Sequence, residues 1–398
     1  MNLNSAIALF NSRLLPNRWF QAASIAVVVF AIYLATSKGS TAYDQYVRLA
    51  DAFLHGRLYL LDAPDWLELA RYGDKAYVIN PPAPVLFLLP WVAIWGVSTN
   101  QVIVSMLIAS GAVGLFWVAA TQLRWGLHFK LAIVMLLAFG TNLWWAATEG
   151  SMWTLPHVSA VFFLMAALVE TTGKNRPWLV GLLVGLAGLS RLPVFLVFPF
   201  YAYTVGHGSK DRRTMVRRLM VFRIALAALG VLYLLYNYGR YGTFAEQGYY
   251  HPQYASQSWF ANGRFDIGYI PRHINAILFQ TPVFKDEFPY FKPSLMGLGL
   301  FFTTPALLYA FRMSWTGLTS AALAGVVLAG ILLTMHGTTG WTQFGYRYSI
   351  DVLPLLVILV ASGMHHSLDK LKISVILLCC FINLWGTLSF HKFDWAVF

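Results

Sequence analysis

The sequence is poor in charged residues and in cysteine. Only 11% of its 398 residues are Asp, Glu, Lys or Arg, whereas 58% are hydrophobic, and this balance excludes an ordinary soluble domain. The two cysteines, Cys379 and Cys380, are adjacent in an apolar run, which favours packing against lipid over a disulfide or a metal site. A P-loop, a Rossmann fingerprint and a G-x-S-x-G elbow are also missing, so the use of a cytosolic nucleotide substrate has no support.

The chain also lacks Gly-Ser linkers, low-complexity tracts and internal repeats of 20 to 50 residues. We therefore predict a single membrane domain over residues 1–398, with outer elaborations and no separate soluble domain. The first apolar run is not followed by a small-residue cleavage site, which predicts an uncleaved first helix.

Long apolar runs are abundant, and they predict an all-α polytopic protein with about 11 transmembrane helices. The run at 178–206 is too long for one crossing, and the segment 190–193, which ends in a proline, interrupts it. We expect two short helices there. The candidate spans lie at 20–36, 101–121, 131–146, 155–171, 178–206, 219–239, 294–311, 318–335, 350–364 and 373–390.

A further apolar run, at 82–97, contains several prolines and ends in two tryptophans, which is typical of a helix at the membrane interface. The positive charges favour the same interpretation, because short cytoplasmic loops collect Lys and Arg. If 82–97 does not cross, the inward segments hold 15 of the 28 Lys and Arg residues but few of the 16 acidic ones. Those segments are 1–19, 122–130, 172–177, 207–223, 312–317 and 365–372. Topology and anionic inner-leaflet lipid then explain the formal charge of +12, and no nucleic acid is required.

This topology predicts a cytoplasmic N-terminus, an outer C-terminus and two long outer segments, residues 37–100 and 240–293. Loops of this length usually carry function. In the first, the motif YDQYVRLADAFLHG has helical spacing, with Val47, Ala50 and Leu54 on one face. Asp44 precedes that helix, just past a hydrophobic span, where a carboxylate is costly unless it is paired or functional.

Seven segments, in order over most of the chain, resemble bacterial GT-C superfold integral membrane glycosyltransferases of the protein-mannosyltransferase-like and aminoarabinose-transferase-like branch. They are STAYDQYVRLADAFLHGRLYL, GDKAYVINPPAPVLFLLPWVAIWG, FGTNLWWAATEGSMWTLPHVSA, LVGLLVGLAGLSRLPVFLVFPF, YNYGRYGTFAEQGY, GLGLFFTTPALLYA and GWTQFGYRYSIDVLPLL. The resemblance implies a GT-C-like fold with amphipathic juxtamembrane helices in the first outer loop. It also implies inverting transfer of a sugar from a polyprenyl-phosphate carrier, with the active site on the outer face of the cytoplasmic membrane.

The resemblance further implies that Asp44 is the catalytic base, which takes the proton from the acceptor as it attacks the anomeric carbon. Arg191, Arg347 and Lys75 are predicted to bind the donor phosphate, because guanidinium and ammonium groups suit that anion. Structural alternatives stay open at each position. These are an Asp44–Arg48 pair, a pair of Arg191 with Glu149 or a carbonyl, an Arg347–Asp351 pair and a solvated Lys75.

The outer segments are rich in aromatic and amide side chains, which suit carbohydrate stacking and hydrogen bonding. An interfacial aromatic belt is the alternative interpretation. The predicted sugar-binding residues are Glu149, His157, Asn237, Arg240, Arg272 and His273. No cofactor and no obligatory metal are predicted, although oxygens of Asp44 and Glu149 offer a divalent-cation alternative.

The predicted partners are a polyprenyl-phosphate-linked sugar donor, membrane lipids and an acceptor that is a protein, a glycan or a lipid. A transporter or flippase for a lipid-linked sugar is the main alternative, but it would be expected to show internal repeats and charges deep in several helices. A lipid-phosphate phosphatase and an O-antigen polymerase are further enzyme alternatives, and neither has a motif of its own here.

Overall fold

The computed structural model describes residues 17–398, which form a largely helical protein with two short β-hairpins. Polar caps begin several helices; for example, the side chain of Asn100 accepts hydrogen bonds from two backbone N–H groups of the next turn. The helices are α1 (Arg18–Thr36), α2 (Gln45–Leu54), α3 (Val85–Trp95), α4 (Gln101–Gln122), α5 (Leu127–Phe139), α6 (Leu143–Glu149), α7 (Leu155–Thr172), α8 (Pro177–Gly188), α9 (Phe198–Gly206), α10 (Arg212–Tyr241), α11 (Pro252–Ala255), α12 (Ile270–Leu278), α13 (Leu300–Thr303), α14 (Gly317–Thr334), α15 (Leu353–Gly363) and α16 (Lys370–His391).

Two antiparallel hairpins and several 3₁₀ turns complete the described chain. The hairpins pair β1 (Leu69–Tyr72) with β2 (Lys75–Val78) and β3 (Val283–Phe284) with β4 (Phe291–Lys292). The 3₁₀ segments are Gly96–Ser98, Leu192–Val197, Ser258–Phe260, Ile267–Tyr269, Pro305–Arg312 and Arg347–Val352. The predicted cytoplasmic location of the first sixteen residues lies outside the described part.

The chain is a multi-pass membrane protein. Within residues 17–398, six helices are long and apolar enough to cross a membrane, namely α1, α4, α7, α10, α14 and α16. The pair α5 and α6, bent by 46°, raises the number to as many as seven. The predicted count of eleven is not confirmed, because the remaining predicted spans form short or broken helices.

The long run at 178–206 is broken where the sequence predicts. Helix α8 ends at Gly188, residues Leu192–Val197 form a 3₁₀ turn, and α9 begins at Phe198. Pro193 lacks the N–H that a continuing α-helix needs, and the hydroxyl of Ser190 donates to the Leu186 carbonyl as the helix ends. The break places Arg191 between the two helices in extended backbone.

Helices α4 and α7 lie at the centre of the protein and are buried over most of their surface, whereas α1, α10, α14 and α16 are largely exposed. The outward side chains of α10 are apolar, and Val231, Leu232 and Leu235 are each more than half exposed. A helix that is apolar on its open face is solvated by lipid in a membrane protein.

Residues 37–100, the predicted first outer segment, contain two helices and a hairpin that pack together. Val47 and Ala50 of α2 are buried, whereas Leu54, which the helical spacing places on the same face, is exposed. Helix α3 contacts α2 and contains Pro90. With 11 residues it is about 16 Å long, far short of the roughly 30 Å hydrocarbon core. This length supports the predicted surface position of 82–97, which stays a prediction.

Two glycines allow α8 to approach α10 closely. A Cβ added at Gly181 would lie 2.3 Å from the Phe222 carbonyl oxygen, and one at Gly185 would lie 2.8 Å from the Leu229 side chain. Close approach at small residues four apart is a common way in which membrane helices associate.

We expect Gly181→Ala to destabilise the protein by about 1–3 kcal/mol, because backbone must move to admit the new methyl group. Gly230→Ala is the matched control, since an added Cβ there meets nothing within 4 Å. Thermal unfolding of the detergent-solubilised protein measures both. Equal midpoints for the two variants would show that α8 and α10 are not in this close contact.

Candidate functional site

Backbone hydrogen bonds join three segments in which the sequence predicts functional residues. The Met152 N–H donates to the Tyr43 carbonyl at 3.1 Å, and the Asn80 side-chain amide donates to the Met152 carbonyl at 3.2 Å. The Ala83 N–H donates to the Leu189 carbonyl at 3.0 Å. These hydrogen bonds therefore connect residues 37–100 both to the turn before α7 and to the break that carries Arg191.

The buried carboxylate of Asp351 forms hydrogen bonds with two of the predicted site residues, His157 and Arg191. Its Oδ1 lies 2.5 Å from Nδ1 of His157, and its two oxygens accept bonds of 3.1 to 3.3 Å from Nε and Nη2 of Arg191. Asp351 is fully buried and the Arg191 side chain is 17% exposed. Nη1 of Arg191 has no partner among the described residues, so Asp351 orients the guanidinium while one donor group stays free.

Two structural alternatives proposed for these residues are wrong. Glu149 does not pair with Arg191; its Oε1 lies 2.5 Å from Nζ of Lys38. Arg347 does not pair with Asp351, because residues Arg347–Val352 form a 3₁₀ helix, in which side chains three apart, not four apart, lie above one another. Nη1 of Arg347 instead donates to the Trp341 carbonyl at 3.2 Å.

The ring of Tyr348 is the centre of this region. The guanidinium carbons of Arg191 and Arg347 each lie 5.5 Å from the ring centroid, so they are at most about twice that distance apart. Three imidazole rings surround the same tyrosine at centroid distances of 5.9 to 6.3 Å, those of His157, His273 and His336. The fold thus gathers both predicted phosphate-binding arginines around one buried aromatic ring.

His273 is held in one neutral form by its neighbours. Its Nε2 lies 2.8 Å from the His336 carbonyl, which only accepts, so Nε2 carries the proton and Nδ1 accepts from the Tyr346 hydroxyl at 2.7 Å. Burial lowers the pKa of His273 to about 4, and burial beside Arg264 lowers the pKa of His336 to about 3. Both ring nitrogens of His273 are therefore occupied within the protein.

The predicted sugar-binding residues Asn237 and Arg240 lie in a different cluster. Arg240 is buried between the rings of Tyr236 and Tyr241, with its guanidinium carbon 4.1 and 4.5 Å from their centroids. Its terminal nitrogens donate to the Val78 carbonyl at 2.8 Å and to Asn237 Oδ1 at 2.6 Å. These bonds connect the end of α10 to β2, and so link the two predicted outer segments, 37–100 and 240–293.

Asp44 lies immediately before α2 and is partly exposed. Its Oδ1 accepts a 2.8 Å bond from Nε of Arg48, so the predicted pairing alternative is present in the structure. The preceding Tyr43 packs on Trp153 with a centroid distance of 4.5 Å. The structure makes no direct bond from Asp44 to Arg191 or Arg347.

The remaining predicted residues do not contact the Tyr348 ring. Lys75 is exposed at the start of β2, and its Nζ is 5.0 Å from the Tyr59 ring centroid. Arg272 stacks on Tyr269 at 4.0 Å. In residues 17–398, no three His, Cys, Asp or Glu side chains are grouped to hold a metal ion. The Lys38 bond to Glu149 gives the cation alternative no support.

Several residues of this region, among them Asp351, Tyr348, His336 and Arg264, were not singled out from the sequence as functional. Asp351 and Tyr348 lie beside Arg347 in the YRYSID motif, and the cost of a carboxylate next to an apolar run was the available signal for Asp351. Arg264 donates from Nη1 to the Tyr249 carbonyl at 3.3 Å and stacks on the Tyr249 ring. Burial raises the pKa of Tyr249 to about 12, so its hydroxyl stays protonated.

Comparison with solved structures shows what the fold is similar to. ArnT from Cupriavidus metallidurans bound to undecaprenyl phosphate matches over 90% of this chain with a TM-score of 0.55 and 14% sequence identity. The apo oligosaccharyltransferase from Archaeoglobus fulgidus matches over 94% of this chain with a TM-score of 0.49 and 11% identity. No protein-family model and no curated protein sequence matches the chain.

This chain spans 61% of the length of the ArnT structure and 56% of the oligosaccharyltransferase. The similarity to ArnT confirms the predicted GT-C fold. The molecule is therefore a multi-pass membrane protein of GT-C architecture, with a cluster of arginine, histidine and tyrosine side chains held by a buried aspartate.

Proposed function

We propose that the protein is an inverting glycosyltransferase, which moves a sugar from a polyprenyl-phosphate carrier to an acceptor at the outer face of the cytoplasmic membrane. The observation that carries the proposal is the placement of Arg191 and Arg347 at the same distance, 5.5 Å, from the Tyr348 ring centroid. Arg191 shares its only carboxylate, Asp351, with His157, and Arg347 forms no ion pair with a described residue. The binding of undecaprenyl phosphate by ArnT, which shares this fold, supports a lipid phosphate as the ligand.

The leaving group in this reaction is a lipid phosphate, and the protein's main task is to hold its charge and position the donor. Arg191 forms an ion pair with Asp351, but its Nη1 has no partner among the described residues. Nε of Arg347 is buried without a hydrogen-bond partner. These donors suit phosphate oxygens, since charge-assisted hydrogen bonds are among the stronger ones in proteins. Asp351 acts as a positioning residue, which fixes the direction of the Arg191 guanidinium.

Asp44 is the proposed base. As the acceptor oxygen or nitrogen attacks the anomeric carbon, the bond from that carbon to the phosphate oxygen breaks, and the acceptor's proton passes to the Asp44 carboxylate. The lipid phosphate leaves with the bonding electrons. Attack from the side opposite the leaving group inverts the anomeric centre. The Arg48 guanidinium, 2.8 Å from Oδ1, leaves the second carboxylate oxygen for the acceptor.

The site faces outward in this proposal, with the N-terminus in the cytoplasm and the C-terminus outside. The arrangement of positive charge supports this orientation, because segments such as 207–223 are rich in Lys and Arg and belong on the inner side.

Reconstitution in lipid vesicles tests the function directly. We expect the protein to release free undecaprenyl phosphate from undecaprenyl-phosphate-linked sugars when acceptor is supplied, and to ignore soluble nucleotide sugars. Release is followed by chromatography of the extracted lipid. Movement of the intact donor across the bilayer without release of lipid phosphate would instead indicate a transporter. Full activity with a nucleotide sugar alone would contradict the donor assignment.

A further inference from the structure

A cavity lies beside the Tyr348 region, between α12 and the loop that follows α14. Its volume is about 240 Å³. The polar and aromatic side chains that line it include Trp259, Arg272, Asn275, Gln280, Thr338 and Trp341. Pockets for drug-sized ligands measure roughly 300–1,000 Å³. This cavity therefore suits one small ring better than a lipid or an extended chain.

The charge of the cavity is positive. None of the described residues that line it is acidic, and Arg272 supplies a guanidinium. That group is held by a 2.9 Å bond from Nη2 to the Trp259 carbonyl and by stacking on Tyr269. Its Nε is buried without an acceptor. A buried donor without an acceptor is costly unless a ligand supplies one.

The walls of the cavity have the composition of a sugar site. The rings of Trp259 and Trp341 lie 6.3 Å apart and are inclined by 30°, and both are exposed. Tryptophan faces pack on the C–H surface of a sugar, while amides such as Asn275 and Gln280 bind its hydroxyl groups. Aromatic faces with polar side chains between them therefore match a pyranose ring.

Hydrogen bonds also connect the residues at the cavity to the proposed donor site around Tyr348. Nη1 of Arg347 donates to the carbonyl of Trp341, and His273, next to Arg272 in sequence, bonds the His336 carbonyl at the start of the cavity loop. We propose that this cavity is the acceptor subsite and binds a sugar ring that carries an anionic substituent. The acceptor role rests on the proposed function above, whereas the binding of an anionic sugar does not.

Titration of the full-length protein in nanodiscs with methyl glucuronide and methyl glucoside tests the inference, with saturation-transfer NMR as the readout. The two probes differ chiefly by a carboxylate. We expect the glucuronide to bind about tenfold more tightly, the effect of one charge-assisted hydrogen bond. Arg272→Gln should abolish that preference, and Trp341→Leu should weaken both probes alike.

Arg312→Gln is the control, because Arg312 is exposed at the end of a 3₁₀ segment and does not line the cavity. Equal affinity for the two probes, absence of binding, or an undiminished preference in Arg272→Gln would overturn the inference. Arg272→Lys gives a second test, since it keeps the charge and should retain part of the preference. Undecaprenyl phosphate binding is measured on the same samples. If it fails while the glucuronide preference persists, the proposed function is wrong and the anionic-sugar site stands.

Discussion

Asp44→Asn is expected to lower the rate of sugar transfer by about 10² to 10⁴, the usual contribution of a positioned general base. The amide keeps the size of the carboxylate but cannot accept the acceptor's proton. The fold should survive, because the lost Arg48 contact is a partly exposed pair that contributes roughly 0.2–1 kcal/mol. The measurement is release of undecaprenyl phosphate in vesicles, with the thermal midpoint recorded in parallel.

Asp51→Asn is the matched control for this experiment. Asp51 lies on α2, the helix that Asp44 precedes, is similarly exposed, and contacts Arg57 at 3.6 Å. Its loss should leave the transfer rate within a few-fold of the original. A folded Asp44→Asn protein with normal turnover would show that another group, or the acceptor itself, disposes of the proton.

The predicted architecture follows from properties that are local in sequence. Apolar runs long enough to cross a bilayer predict α4, α7 and α10, and Pro193 predicts the break after α8, because a missing N–H acts within one turn. The count of crossings was less predictable. An apolar run such as 294–311 has the composition of a span, but it folds into a short helix and a 3₁₀ turn.

The pairing of charges was the least predictable feature. Arg191 lies within an apolar run, yet its partner Asp351 is 160 residues away, and only the packed fold brings them together. Arg347 lies nearer to Asp351 in the sequence and was its partner in the structural alternative. That alternative assumes an α-helix, in which residues i and i+4 are neighbours, whereas this segment is a 3₁₀ helix. Sequence periodicity does not distinguish these two helices over six residues.

Removal of either partner of the buried pair should cost about 3–5 kcal/mol of stability, because the other charge is left buried and uncompensated. Arg191→Met leaves the Asp351 carboxylate with His157 alone, and Asp351→Leu leaves the guanidinium without its counter-ion. The double variant should recover most of the loss, since apolar replacement of a whole buried pair is often neutral. Thermal unfolding in detergent measures all three variants.

Binding of undecaprenyl phosphate separates the structural role of Arg191 from its proposed role at the donor. The recovered double variant lacks the free Nη1, so it should be stable and yet bind the lipid at least about tenfold more weakly, as expected for a lost hydrogen bond to a charged group. Arg176→Met is the control, because the Arg176 side chain is 45% exposed in its pair with Glu170 and should change stability by about 1 kcal/mol or less. Full lipid binding by the double variant would mean that Arg191 only braces the fold, and the donor phosphate would then belong to Arg347 and its neighbours. An Asp351→Leu protein as stable as the original would contradict the buried pair itself.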